Sequence, residues 1–356
     1  MMNANDGIQF GRSIKVQIYG ESHAEKIGVR ISGIKQGMPV DREFLDAFMA
    51  RRAPGKNPWS TPRKETDEPV FISGVKDGST TGETIEAVIY NKNIRPADYK
   101  NIKSVPRPSH ADYPAWVKYG EIPSGGGPFS GRMTAALCIA GALCCEWLAA
   151  EGISVKAHIE RIGDVKDAYM EADSLVGIDF ATVSEEAAET MKAVIEEVRS
   201  AGDSIGGVIE CKVFGMPVGV GEPIFGSLEG LISQAVFAVP AVKGIEFGNG
   251  FASAGMKGSE NNDPFLVQDG RIVTRTNHHG GILGGLSSGM PIVVRTAMKP
   301  TPSIGIRQES VDLETMENTE LIVKGRHDPC IVPRAVPCIE AAVAIAVYDA
   351  LLEWRS

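Results

Sequence analysis

Three titratable groups stand close together near the middle of the chain. Arg107, His110 and Asp112 place a guanidinium, an imidazole and a carboxylate within six positions. Gly125, Gly126 and Gly127 follow, then Ser130 and Arg132. Glycines without Cβ atoms let backbone N–H groups approach a ligand, and the apolar run at 133–150 reads as a helix behind them. Loop amides and the positive end of that helix then face the same point, with Arg132 adding a charged fork, which is the chemistry of an anion site. A glycine-rich hairpin beside a core helix would show the same glycines, since the Lys-Ser/Thr ending of a P-loop is missing. The titratable cluster upstream favours a site.

Other groups could join it. His23 follows Gly20-Glu-Ser at the exit of an alternating strand at 13–19, a position where sites collect. Arg51 and Arg52 end a helix that Asp41 caps. They would complement its C-terminal dipole, yet the basic charge continues into the 56–64 loop. Lys299, Thr301 and Ser303 lie in a proline-rich loop and offer an ammonium and two hydroxyls, suited to phosphate or a ribityl chain. Arg326, His327, Asp328 and Arg334 fall within nine residues, just before a second apolar helix at 337–354. His278 and His279 invite a metal reading. It is set aside because adjacent side chains diverge and no cysteine or carboxylate stands at ligand spacing.

The elements needed to position these groups are legible in outline. Strands are expected near 29–34, 69–73, 84–91, 154–160, 205–213, 241–247 and 291–296. Helices are expected over 184–200, amphipathic and exposed, and over 227–239. The runs at 133–150 and 337–354 are too apolar for surface helices. Many strands with few crossover helices predict an α+β fold, a β-α-β sandwich with two long apolar helices buried between antiparallel sheets. The 356 residues form one domain, 1–356, in which two halves, about 1–150 and 151–356, could be pseudo-equivalent.

Composition bounds the partners. With 43% hydrophobic and 23% charged residues the chain can bury a large core, and a net charge of -9 argues against a general nucleic-acid surface. No apolar run is expected to reach the roughly twenty residues of a membrane span, and residues 1–11 lack the pattern of a secretory leader. Six cysteines without paired spacing fit a reducing cytoplasm.

The ordered motifs Gly20-Glu-Ser-His23, Arg51-Arg-Ala-Pro-Gly55, Arg107-Pro-Ser-His-Ala-Asp112, Gly125-Gly-Gly127, Gly280-Gly-Ile-Leu-Gly-Gly285, Lys299-Pro-Thr301 and Gly325-Arg-His-Asp-Pro-Cys330 together resemble the chorismate synthase family. The resemblance runs from Gly20 to the final helix. It implies anti-1,4-elimination of phosphate from 5-enolpyruvylshikimate 3-phosphate to give chorismate, with reduced FMN needed but no net redox change. It also implies a homotetramer with a sandwich core. On the matching positions, His23 protonates the leaving phosphate, His110 neutralises the reduced flavin, and Asp328 works with the flavin during loss of the substrate proton. Arg51, Arg52, Arg107, Arg132 and Arg334 are expected on the substrate's phosphate and carboxylates, where planar forks suit better than ammonium groups. Ser130, Ala241, Gly284, Lys299, Thr301, Ser303 and Arg326 match the family's flavin contacts.

The chain departs from the family pattern at several of these contacts. Ser109 and Ala24 stand where glycines are usual, Pro128-Phe129 where Arg-Ser is common, Met133 where Glu is, and Pro240 near a usual Asn. His278-His279 replace Asn-Ala. Pro58 occupies a position where bifunctional members carry an arginine linked to nicotinamide (NADP) binding, so self-reduction of the flavin and supply by a separate flavin reductase both stay open. A non-catalytic binding protein for a phosphorylated metabolite on the same fold is the alternative. It would need the arginines but not His23, His110 and Asp328.

Overall fold

The computed structural model describes residues 9–55, 67–91, 103–171, 174–175, 179–323 and 328–356. Two five-stranded sheets, each antiparallel throughout, enclose the two long apolar helices. In the first sheet the spatial order is Gln9–Phe10, Lys15–Gly20, Lys26–Ser32, Ile85–Tyr90 and Val70–Ser73. The second runs Val242–Phe247, Ile292–Met298, Gly207–Phe214, Ser154–Ile162 and Val165–Lys166. The α+β sandwich expected from the alternation of apolar and polar residues is the fold found.

Alternation explains which face turns inward. Along Gly207–Phe214, Ile209, Cys211 and Val213 have no exposed surface and join the core cluster. The intervening Glu210 and Lys212 belong to the opposite face, where Lys212 Nζ donates to the Met170 carbonyl at 2.7 Å. The helix Thr134–Ala149 packs on the first sheet, the helix Val332–Trp354 on the second, and the two helices pack on each other. They approach closely at Gly141, where an added Cβ would lie 2.1 Å from the Ala341 Cβ. Shorter helices flank them: Arg42–Arg52 beside the first and Leu228–Phe237 beside the second.

Two expectations need correction. The last helix starts at Val332 rather than Pro337: Pro333 sits in its first turn, where the missing N–H would be unpaired anyway, while Pro337 lies inside it and leaves one i→i−4 bond unmade. The apolar stretches Gly131–Ala149 and Val332–Trp354 are 19 and 23 residues long, long enough to span a bilayer, but they are almost wholly buried between the sheets. Sequence reading also missed the helix Asp112–Tyr119 and the hairpins Phe265–Gln268 with Arg271–Thr274 and Gln308–Asp312 with Glu317–Leu321.

One buried carboxylate ties the chain's ends together. Asp349, fully buried on the last helix, accepts from the backbone N–H groups of Arg12, Ser13 and Ile14 at 2.8–3.0 Å. Backbone N–H donors thus satisfy this buried carboxyl.

Candidate active site

The loop 124–129 is where the fold and the chemistry meet. Gly125, Gly126 and Gly127 all have positive φ (62°, 85° and 48°), a backbone that side chains disfavour. Two histidines use the space their missing Cβ atoms leave. A Cβ on Gly125 would fall 1.9 Å from His23 Cε1, and one on Gly126 would lie 3.5 Å from His110 Nε2. The His23 loop docks on the same backbone: Ser22 N donates to the Gly127 carbonyl at 3.4 Å, and Ser22 Oγ donates to the Gly125 carbonyl at 3.3 Å. Ser22 Oγ also lies 3.1 Å from His23 Nδ1.

His110 is fixed from its other side. Its Nδ1 lies 2.5 Å from Asp112 Oδ1 and 3.0 Å from Arg107 Nη2. Arg107 in turn grips Asp112 with Nε and Nη2, and its Nη1 donates to Ser303 Oγ at 3.2 Å. Asp112 is buried, which alone would raise its carboxyl, but hydrogen bonds from Arg107 and His110 hold it well below the usual range. Ser109 carries a positive φ of 58°. Its carbonyl accepts from Lys299 Nζ. Burial, then the neighbouring Lys243, pulls the Lys299 ammonium below its ordinary value.

A second polar group is built on Asp67. It accepts from Arg52 Nη1 at 2.5 Å and from Arg132 Nη1 through its other oxygen. Arg52 also donates to Thr134 Oγ1 (3.2 Å) and to the Gly131 carbonyl (2.9 Å), and Arg132 Nε donates to Asn91 Oδ1 at 3.0 Å. Burial works against the charge on Asp67, yet the two guanidiniums keep its carboxyl low. Across the same opening Arg334 Nη1 pairs with Asp328 Oδ2 at 2.9 Å, and Thr301 Oγ1 donates to the Asp328 carbonyl at 2.8 Å.

These groups border a single cleft of about 800 Å³. Its wall contains Arg52, Arg107, Arg132 and Arg334, with His110 and Asp328 among the titratable groups. Of the residues expected at a cofactor, Ser130, Ala241, Lys299, Thr301 and Ser303 also line it. His23 packs its ring against Gly125, which lines the cleft, but is not itself part of the wall. Among the described residues, three of the expected ones do not line the cleft: His23, Arg51 and Gly284. Arg51 turns to Glu340, meeting both carboxylate oxygens at 3.2 and 2.6 Å, and Gly284 is exposed elsewhere. Arg326 lies outside the described residues.

Sequence reading missed Asp67, Asn91, Thr134 and Glu340 as partners of the arginines. Glu340 carried a signal, a lone carboxylate in an apolar helix, since a buried charge needs a counterpart. Asp67 carried none, because its partners are 15 and 65 positions away. Ala238 and Val239 give the cleft an apolar edge that motif reading did not find. The rings of His278 and His279 do not diverge: both lie against Asp263, and His279 Nε2 reaches Ser288 Oγ at 3.1 Å.

Comparison with known proteins agrees with this architecture. The family model described as chorismate synthase matches residues 14–352. A chorismate synthase of Lancefieldella parvula is 46% identical, covering 98% of this chain and 97% of its own. That of Thermococcus kodakarensis is 44% identical, covering 97% and 98%. A crystal structure of a chorismate synthase superposes with a TM-score of 0.74 at 27% identity, over 97% of this chain and 93% of that one. The binding-protein alternative finds no support among these names. With the match running from residue 14 to 352, through both sheets and both core helices, the chain belongs to the chorismate synthase family and carries its carbon–oxygen lyase activity.

Proposed function

We propose that the cleft performs the anti-1,4-elimination of phosphate from 5-enolpyruvylshikimate 3-phosphate with reduced FMN as the required cofactor. The observation that supports this most is the gathering of four arginines, His110 and Asp328 around one opening beside a triple-glycine loop. A substrate with a phosphate and two carboxylates needs fixed positive forks, and Arg52, Arg132 and Arg334 are held in place by carboxylates that take only part of each guanidinium.

The cleft also suits a flavin. Its size fits a tricyclic ring, Ala238, Val239 and Ala241 give an apolar edge, and Lys299, Thr301 and Ser303 supply an ammonium and hydroxyls for the ribityl phosphate. Bound reduced FMN supplies transient electron density while the C–O bond breaks. On this reading His23 donates the proton that the departing phosphate needs. His110, oriented through Nδ1 by Asp112, presents Nε2 as the group that balances the flavin's negative charge. Asp328, held by Arg334, takes part in removing the substrate proton.

The working form in this proposal is a cytoplasmic homotetramer. Six free, buried cysteines support a reducing compartment. The hairpin 265–274 supports self-association: Phe265, Val267 and Ile272 are 68%, 74% and 70% exposed, an apolar surface that another copy could cover. We also propose that the chain is one domain of two pseudo-equivalent halves, about 1–150 and 151–356; that each contributes one five-stranded sheet and one long helix supports this. Whether NADPH or a flavin reductase delivers the electrons is decided by assay. Chorismate should form anaerobically with dithionite-reduced FMN and without stoichiometric flavin oxidation. One flavin oxidised per chorismate would overturn the proposal, and light-scattering mass would test the tetramer.

A further inference from the structure

The cleft contains a nucleophile that the elimination does not use. Cys338, on the second core helix, lines the cleft beside Arg52, Thr134 and Arg334. Its sulfur lies 3.8 Å from that of Cys138 on the first core helix, with Cys138 as the donor. The Cys338 thiol donates to the Arg334 carbonyl at 3.4 Å, a bond that ionisation gives up, and Cys138 Sγ also donates to the Pro337 carbonyl at 3.8 Å. The other four cysteines, Cys144, Cys145, Cys211 and Cys330, are buried away from the cleft lining.

We propose that Cys338 and Cys138 are a peroxide-sensitive thiol pair, Cys338 the attacking sulfur and Cys138 the resolving one. Geometry supplies each requirement. Cys338 is only 3% exposed but borders the cleft, the Arg52 and Arg334 guanidiniums beside it, each also paired with a carboxylate, favour a thiolate, and the second sulfur lies 3.8 Å away. The Cys138 hydrogen bond, then Arg52, Thr134 and Arg334, pull the Cys338 thiol below its ordinary value although burial opposes them. Burial instead pushes Cys330 up to about 12. In the first step the Cys338 thiolate attacks hydrogen peroxide. An S–O bond forms as the O–O bond breaks, and the departing hydroxide takes up a proton to become water. Cys338 has lost two electrons and is a sulfenic acid. Cys138 then attacks that sulfur, the S–S bond forms as the S–O bond breaks, and water leaves with the Cys138 proton. A disulfide needs the sulfurs at about 2.0 Å, so the closure draws the helices together beneath Thr134 and Arg334 and disturbs the anion-binding wall.

The test uses the full chain. Hydrogen peroxide should produce an unreduced peptide pair joining Cys138 to Cys338, with loss of lyase activity that dithiothreitol restores. Cys138→Ser should stop the reaction at a sulfenic acid on Cys338 that dimedone traps, and Cys138→Ala repeats the test if serine unfolds the core. In the untreated protein, iodoacetamide should alkylate Cys338 at least about tenfold faster than Cys330. A sulfinic acid on Cys338 beside a free Cys138 would overturn the resolving role. Equal alkylation rates, or no oxidation of Cys338 while circular dichroism shows a folded chain, would overturn the proposal entirely.

Discussion

Asp112 holds Arg107 with both carboxylate oxygens, Oδ2 to Nε at 2.7 Å and Oδ1 to Nη2 at 2.8 Å, and the same Oδ1 reaches His110 Nδ1. One buried carboxylate thus fixes both a guanidinium and an imidazole of the cleft. Removing one partner of a buried pair leaves the other uncompensated, so Asp112→Asn should cost about 3–5 kcal/mol of stability. Urea unfolding at neutral pH measures this. Turnover should fall as well, because the His110 ring loses its orienting acceptor.

Asp112 and Asp67 also set an acid limit. Both carboxyls are held low in the folded state. Their contribution to stability is therefore complete above the unfolded carboxylate value of about 3.9 and is lost as pH falls below it toward the lower folded values. The urea midpoint should drop steeply below about pH 4. Asp112→Asn should show a shallower acid slope, and an unchanged slope would mean that Asp112 is not charged in the fold.

The two histidines should separate by spectrum. His110→Ala should change the absorbance of bound reduced FMN, and His23→Ala should leave it unchanged. Each should lower kcat by about 10²- to 10⁴-fold, the usual loss on removing a general acid or base. Stopped-flow spectra of the two variants with excess substrate make the comparison.

Gly125 should be intolerant of a methyl group. In Gly125→Ala the new Cβ falls 1.9 Å from His23 Cε1, at a φ of 62°, so the imidazole must move. A Cβ on Gly131 meets nothing within 4 Å. Gly125→Ala should therefore lose most of its turnover, while Gly131→Ala keeps it; equal kcat values would contradict the packing of His23 on this loop.

Ser109 carries a removable strain. Its φ of 58° is left-handed, a conformation that costs a side-chain-bearing residue about 1–2 kcal/mol. Ser109→Gly relieves this but adds freedom to the unfolded chain worth about 0.4–1 kcal/mol. The net expectation is a gain of about 0 to 1.6 kcal/mol in urea unfolding.

The sequence by itself determined what its periodicities encode. Alternation in 13–19 and 205–213 gave strands with a definite inner face, and unbroken apolar runs gave two helices that had to be buried, so the sandwich was legible. Residue types and local spacing also marked His110, the triple glycine and the arginines as one chemistry. Only the tertiary structure decided who holds whom. Asp67 meets Arg52 and Arg132, Glu340 draws Arg51 away from the cleft, and Cys138 meets Cys338 across 200 positions. Such pairings are set by where the sheets and helices stack, not by any local preference of the chain. A guanidinium that looks free in the sequence is claimed in the fold by the nearest buried carboxylate, because neither charge can be left without a partner away from water.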